Sequence, residues 1–293
     1  MPSRTPTQPP PSSTAAAGGA EYVLGTGEQE SDRLGLQHRL WSASAHALWE
    51  RAGIRPGMSV LDVGCGPGHA TMDLAELATE SGRVYAVDES ALFLHNLHER
   101  VQGRRRRNVQ RVLGDVQKLP ELLPDLCVGG GTVDFAYARW VLCFVTDPEA
   151  VVEGVAAVLK RGGRWAIQDY FNYESMTLAP RVEAFSRVIR AVAGSWRDRG
   201  GDPDVMGRIP GLLRKHGLEV VHFSVNQRIA TPDSSIWAWP DSFWRSFVPR
   251  LVEMEYISRE EANAFDAAWL RASTDPETFM MLPPVWDLVA EKR

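Results

Sequence analysis

The segment Val60-Leu61-Asp62-Val63-Gly64-Cys65-Gly66-Pro67-Gly68-His69-Ala70-Thr71 constrains this chain more than any other. A short β-branched apolar run enters it and a helical stretch leaves it, so the glycines stand where a strand turns into a helix. Glycines at alternate positions let the backbone turn sharply and bring main-chain N–H groups to a helix N-terminus, within reach of a ligand. The rhythm continues downstream, with apolar runs at Met58–Val63, Arg83–Asp88, Val109–Gly114, Val133–Ala138 and Arg164–Asp169 separated by helical stretches. Strand, helix, strand in repetition predicts a parallel sheet covered on both faces.

Two further runs, Leu218–Arg228 and Val285–Ala290, extend the sheet. The expected fold is therefore α/β, a doubly wound Rossmann-like seven-stranded sheet, mostly parallel, with helical insertions forming a lid. The loop is not the dinucleotide fingerprint, because the third glycine of Gly-x-Gly-x-x-Gly falls on His69. The expected organisation is a disordered tail over 1–20, rich in proline and small residues, and an N-terminal helical segment over 21–52. A domain over 53–293 follows, with helical insertions at about 172–202 and 231–278. In the helical segment, Leu34, Trp41, Ala45 and Leu48 share one face.

Composition excludes several classes. A net charge of −5 gives no long-range attraction to phosphate backbones, and the one basic run, Arg104–Arg107, is short, so no nucleic-acid partner is expected. Cys65, Cys127 and Cys143 include no CxxC pair, which argues against a disulfide framework or a cysteine zinc site and fits a reducing, cytoplasmic setting. Asp169 and Asn172 half-fit an oxygen site for a metal, but Asp134 lies at the wrong end of its run, so no metal is expected. No apolar run is long enough to span a membrane. Oligomeric state leaves no mark in the sequence.

Asp88 closes the second run 20 residues beyond Gly68, where a doubly wound fold offers a carboxylate to a ribose diol. Asp62 precedes the loop and suits a ligand carrying an ammonium group. Asp115, after Gly114, is placed to accept from an exocyclic adenine amine. For Asp88 or Asp115 taken singly, a helix cap is the competing reading. Together LDVGCGPG, AVDES (Ala86–Ser90) and GDVQKLP (Gly114–Pro120) resemble the class I S-adenosylmethionine-dependent methyltransferases, over about residues 28–230. The resemblance implies S-adenosyl-L-methionine as cofactor. Its methionine part would lie on Asp62 and the loop of Gly64, Cys65, Gly66 and Gly68, the Cys65 thiol being read as packing. Its ribose would lie on Asp88, with Glu89 beside it, and its adenine on Asp115 and the Val116 backbone. Arg139 and Trp140, after the fourth run, would line the methyl-donor side.

The chemistry implied is in-line displacement from a sulfonium onto a small, apolar or aromatic acceptor, the broad resemblance being to ubiquinone/menaquinone-type C-methyltransferases. Its main requirement is a nucleophile held about 3 Å from the methyl carbon. Asp169 and Tyr170 are the candidate catalytic residues for proton removal, with Tyr173 beside them. The aromatic run Trp237, Trp239, Phe243, Trp244 and Phe247 reads either as a buried helix face or as a lid. On the second reading Tyr22, Tyr173, Trp237 and Trp244 form the acceptor pocket; separately, Tyr22, Arg33 and Gln37 resemble the N-terminal segment of some small-molecule methyltransferases, which folds over the cofactor. The alternatives are a cofactor-binding protein without transferase activity and a protein or RNA methyltransferase.

Overall fold

A computed structural model of the chain describes residues 27–293. The expected tail over 1–20 and Tyr22 lie outside the described residues. Helix α1 (Glu28–Ala52) ends where Gly53, at φ 78°, turns its N–H back onto the Glu50 and Trp49 carbonyls. Trp41, Ala45, Leu48 and Trp49 form its buried face, and Trp49 packs edge-on against Tyr137 at 5.0 Å.

Five strands and their crossovers follow: β1 (Ser59–Val63), α2 (His69–Ala78), β2 (Arg83–Asp88), α3 (Ala91–Gly103), β3 (Val109–Leu113), α4 (Leu119–Leu122), β4 (Val133–Arg139), α5 (Pro148–Val158) and β5 (Leu159–Tyr170). The helix starts are written in the sequence. Ser90 accepts the Phe93 N–H at 3.2 Å to begin α3, and Asp147 accepts the Ala150 N–H at 3.1 Å ahead of Pro148 to begin α5. The remainder comprises β6 (Thr177–Ala179), α6 (Glu183–Arg197), α7 (Ile209–Lys215), β7 (Leu218–Asn226), β8 (Ile229–Ala230), α8 (Ala238–Glu253), α9 (Arg259–Thr274), β9 (Phe279–Met281) and β10 (Val285–Lys292). A capping box of Ser258 and Glu261 starts α9.

The main sheet has seven strands in the order β3-β2-β1-β4-β5-β10-β7, parallel from β3 to β5, with β10 antiparallel to both neighbours. Chain order reverses at β1, whose Asp62 is in register with Ala86 of β2 and Tyr137 of β4. A crevice thus opens above the carboxyl end of β1, where such sheets hold ligands. The two expected insertions contain α6 and the pair α8 and α9, but they are not helical throughout. Strands β6, β9 and β8 form a separate three-stranded antiparallel sheet, a feature hidden in the sequence because each strand is only two or three residues long. No helix among the described residues is long and apolar enough to cross a membrane.

Candidate active site

Above the strand ends lies a cavity of about 800 Å³, walled by the β1–α2 loop, the ends of β2, β3 and β4, the first half of α1, and α8. Of the residues expected at a cofactor, Asp62, Gly64, Cys65, Gly66, Asp88, Glu89, Asp115, Val116, Arg139 and Trp140 line it; Gly68 does not. The alternate glycines divide the work. Gly66, at φ 55°, has open space where a Cβ would stand, so here the bare main chain faces the cavity. At Gly68, φ 83°, a Cβ would come within 2.3 Å of Leu97 Cδ1, so this residue lets α3 close on the loop.

Carboxylates at the strand ends set the electrostatics. Asp62 accepts from the Thr71 hydroxyl at 2.6 Å, yet burial pushes its pKa up to about 6. Asp88 accepts the Gly66 N–H at 2.7 Å through one oxygen and the Ser90 N–H at 2.9 Å through the other, and burial raises its pKa too. Each oxygen keeps a lone pair. Asp115 is engaged by the Gln117 N–H at 2.9 Å and by the Gln117 side-chain amide, and it starts the 3₁₀ turn Val116–Lys118. At Asp115 cap and wall residue are therefore compatible roles, whereas Asp88 is not the cap of α3 but holds the N–H of Ser90, which is.

Opposite these groups the wall is aromatic. Trp140 is held at φ 52°, a backbone conformation unusual for a bulky residue and typical of functional sites. Tyr170 and Trp239 stack near its ring at 6.0 and 5.6 Å, Trp41 meets it edge-on at 5.5 Å, and the Arg139 guanidinium lies 5.0 Å from its centroid. Tyr173, Trp196, Phe243 and Trp244 continue the lining. Burial raises the pKa of Tyr170 and Tyr173, so both phenols stay protonated at neutral pH. Trp237 is not in the wall: it stacks on Trp269 at 4.6 Å and its indole N–H donates to Ser273.

Asp169 does not line the cavity either. Its Oδ2 accepts the N–H groups of Val141 and Cys143 at 3.2 and 3.3 Å, and its Oδ1 accepts that of Tyr170 at 2.9 Å. The side chain alternates away from Tyr170 along the strand and pins the loop that presents Trp140. Asp169→Ala strands these buried donors at a combined cost of about 3 kcal/mol or more, so differential scanning calorimetry should show a melting temperature lower by about 6 °C or more. Unchanged stability with lost turnover would instead return Asp169 to the chemistry.

Arg33, Gln37 and His38 also reach the wall from α1. Gln37 accepts from the Trp239 indole at 2.8 Å, tying α1 to α8. Of these only His38 was not expected, although its position one residue from Gln37 and three from Trp41 puts it on the helix's inward side. Met176 and Arg199 likewise join the wall from segments whose sequence shows no periodic signal.

Residues 54–196 match a family model described as a methyltransferase domain. An uncharacterized 37.1 kDa protein in a transposon of Streptomyces fradiae is 36% identical over 129 residues, 42% of this chain. The chain spans about a third of that relative's length, 33%. The ubiquinone/menaquinone biosynthesis C-methyltransferase of Klebsiella pneumoniae is 29% identical over 64% of this chain and 79% of its own length. Among solved structures, a putative methyltransferase from Bacillus halodurans superposes with a TM-score of 0.57 at 18% identity, covering 84% of this chain and 97% of that one, a likeness of fold.

Proposed function

Because the chain belongs to the class I S-adenosylmethionine-dependent methyltransferases, we propose that it transfers the methyl group of S-adenosylmethionine to a small, largely apolar or aromatic acceptor in the cytoplasm. The observation that carries this reading is one continuous cavity with an acidic, glycine-lined half and an aromatic half that meet at Trp140.

The residues fit the cofactor. Open space over the Gly66 main chain admits a ligand, and the donor set matches the ligand's chemistry: Asp62 for an ammonium, Asp88 and Glu89 for a ribose diol, Arg139 for a carboxylate, and Asp115 with the Val116 N–H for an adenine. S-adenosylmethionine supplies an electrophilic methyl on a sulfonium. Trp140, Tyr170, Tyr173 and Trp244 would hold the acceptor body and keep water from it. The aromatic half carries no carboxylate among the described lining residues, and its phenols are too weakly acidic to act as bases. Orientation of an acceptor that is already nucleophilic therefore supplies the catalysis. Free Cys65, Cys127 and Cys143 support the cytoplasmic setting.

Asp62 gives this reading a pH signature. An ammonium favours the ionised carboxylate, whose pKa in the free protein is about 6. Affinity for S-adenosylhomocysteine should rise with pH from 5 to 7, by up to about tenfold per unit below the pKa, then level off; the ligand's own charges change little there. Calorimetric titration should find that slope flattened in Asp62→Asn.

The function itself is tested by single-turnover incubation of the protein with methyl-labelled cofactor and a fractionated cell extract. A small molecule should carry the label. Label on RNA or protein would move the acceptor class, and cofactor binding with no transfer would leave a binding protein.

A further inference from the structure

We infer that His38, fixed by Asp73, is a positioning residue that aims Arg139 into the cofactor half of the cavity; the inference rests on the cofactor reading above. Asp73, on α2, accepts through one oxygen, Oδ2, from two imidazoles of α1: His38 Nε2 at 3.0 Å and His46 Nε2 at 2.9 Å. Its pKa is lowered, against the effect of burial, by hydrogen bonds from the two histidines, so at neutral pH it is an acceptor only. Both Nε2 atoms must then carry the proton. On His38 that leaves Nδ1 to face Nη2 of Arg139, 3.0 Å away, and a donor there requires a lone pair on Nδ1, hence the Nε2–H tautomer. A guanidinium can only donate, so the two requirements agree: carboxylate, Nε2–H, Nδ1, guanidinium, each group in the one hydrogen-bonding state its neighbour allows.

The rest of the environment holds this alignment. His69 stacks on the His38 ring at 5.8 Å and 21°, and burial drives its pKa down to about 3, so it adds no competing cation. Gly35 permits the close approach, since a Cβ there would stand 3.0 Å from His69 Cε1. Arg139 has no carboxylate within ion-pair distance among the described residues, and its Nη1 is buried without a hydrogen-bond partner there. Trp140 supports its face. A partly buried cation with one nitrogen tied back and one buried donor unmatched suits a ligand carboxylate, the group that ends the amino-acid part of the cofactor. Asp73, which does not line the cavity, thus stands behind His38, and His38, in the wall beside Arg139, acts through it.

The test is calorimetric titration of S-adenosylhomocysteine against the full chain and five variants, one of them a double substitution. His38→Phe, which has no acceptor, should weaken binding about tenfold; His38→Asn, whose amide oxygen can stand where Nδ1 stood, should stay within about threefold. His46→Ala should bind as the wild type does, although it bonds the same carboxylate oxygen, because it does not touch Arg139. In an Arg139→Met background, His38→Phe should cost less than about twofold more. A full additional loss there, or His38→Phe binding like the wild type, would overturn the inference. Failure of the wild type to bind the ligand at all would instead overturn the cofactor reading.

Discussion

Gly66→Ala and Gly68→Ala, two residues apart in one loop, should fail in opposite ways. Both glycines hold a positive φ, so either alanine pays roughly 1–2 kcal/mol of backbone strain. At Gly66 little more is added to the fold, because a Cβ would meet nothing within 4 Å. The methyl would instead occupy the space through which a ligand reaches the main chain, and S-adenosylhomocysteine affinity should fall more than about tenfold. At Gly68 the Cβ would stand 2.3 Å from Leu97 Cδ1 and 2.9 Å from Leu97 Cβ, the latter close to the backbone and unable to swing aside. Leu97 is fully buried. Overpacking of about 1–3 kcal/mol then adds to the strain, and the melting temperature should drop by about 6 °C or more. Calorimetric melting of both variants with titration of Gly66→Ala checks the pair. Wild-type affinity in Gly66→Ala would place the ligand elsewhere.

The same loop shows why some of this molecule was legible in sequence and some was not. Seven strands announce themselves because their apolar runs reach five residues or more and, through the first five, alternate with helical stretches, and the loop because glycine has few other uses at alternate positions. Which glycine faces the ligand is set by Leu97, about 30 residues away on α3, and cannot be read locally. Asp169 and Tyr170 illustrate the same limit. Strand alternation implies that only one of them faces the cavity, and it is the phenol, because the carboxylate is taken up by the main chain of the β4 loop. The aromatic run divides in the same way, Trp239, Phe243 and Trp244 reaching the wall while Trp237 and Phe247 pack away from it. His38 and Asp73 are further still from local reading. Their partnership depends on α1 lying across α2, a contact made between residues 35 apart in sequence.

Asp88→Ala should produce the largest loss of cofactor affinity of any single change on the wall. Its two oxygens already clamp the Gly66 amide and the start of α3, so the carboxylate shapes the loop as well as facing the cavity. Removing it should abolish hydrogen bonds from a ribose diol to a charged group, worth about 1.5–3 kcal/mol, and leave the Gly66 amide unpaired. About a hundredfold weaker binding of S-adenosylhomocysteine is expected. A loosened loop would weaken binding as well, so the diol contact needs its own measurement. An analogue lacking the ribose 2′-hydroxyl supplies it through a cycle of two proteins and two ligands. Against the wild type the analogue should bind about tenfold more weakly than the parent, and against Asp88→Ala the two should bind alike, because the group that told them apart is gone. If the analogue loses as much against Asp88→Ala as against the wild type, Asp88 shapes the loop alone, and the diol is held by another group on that wall.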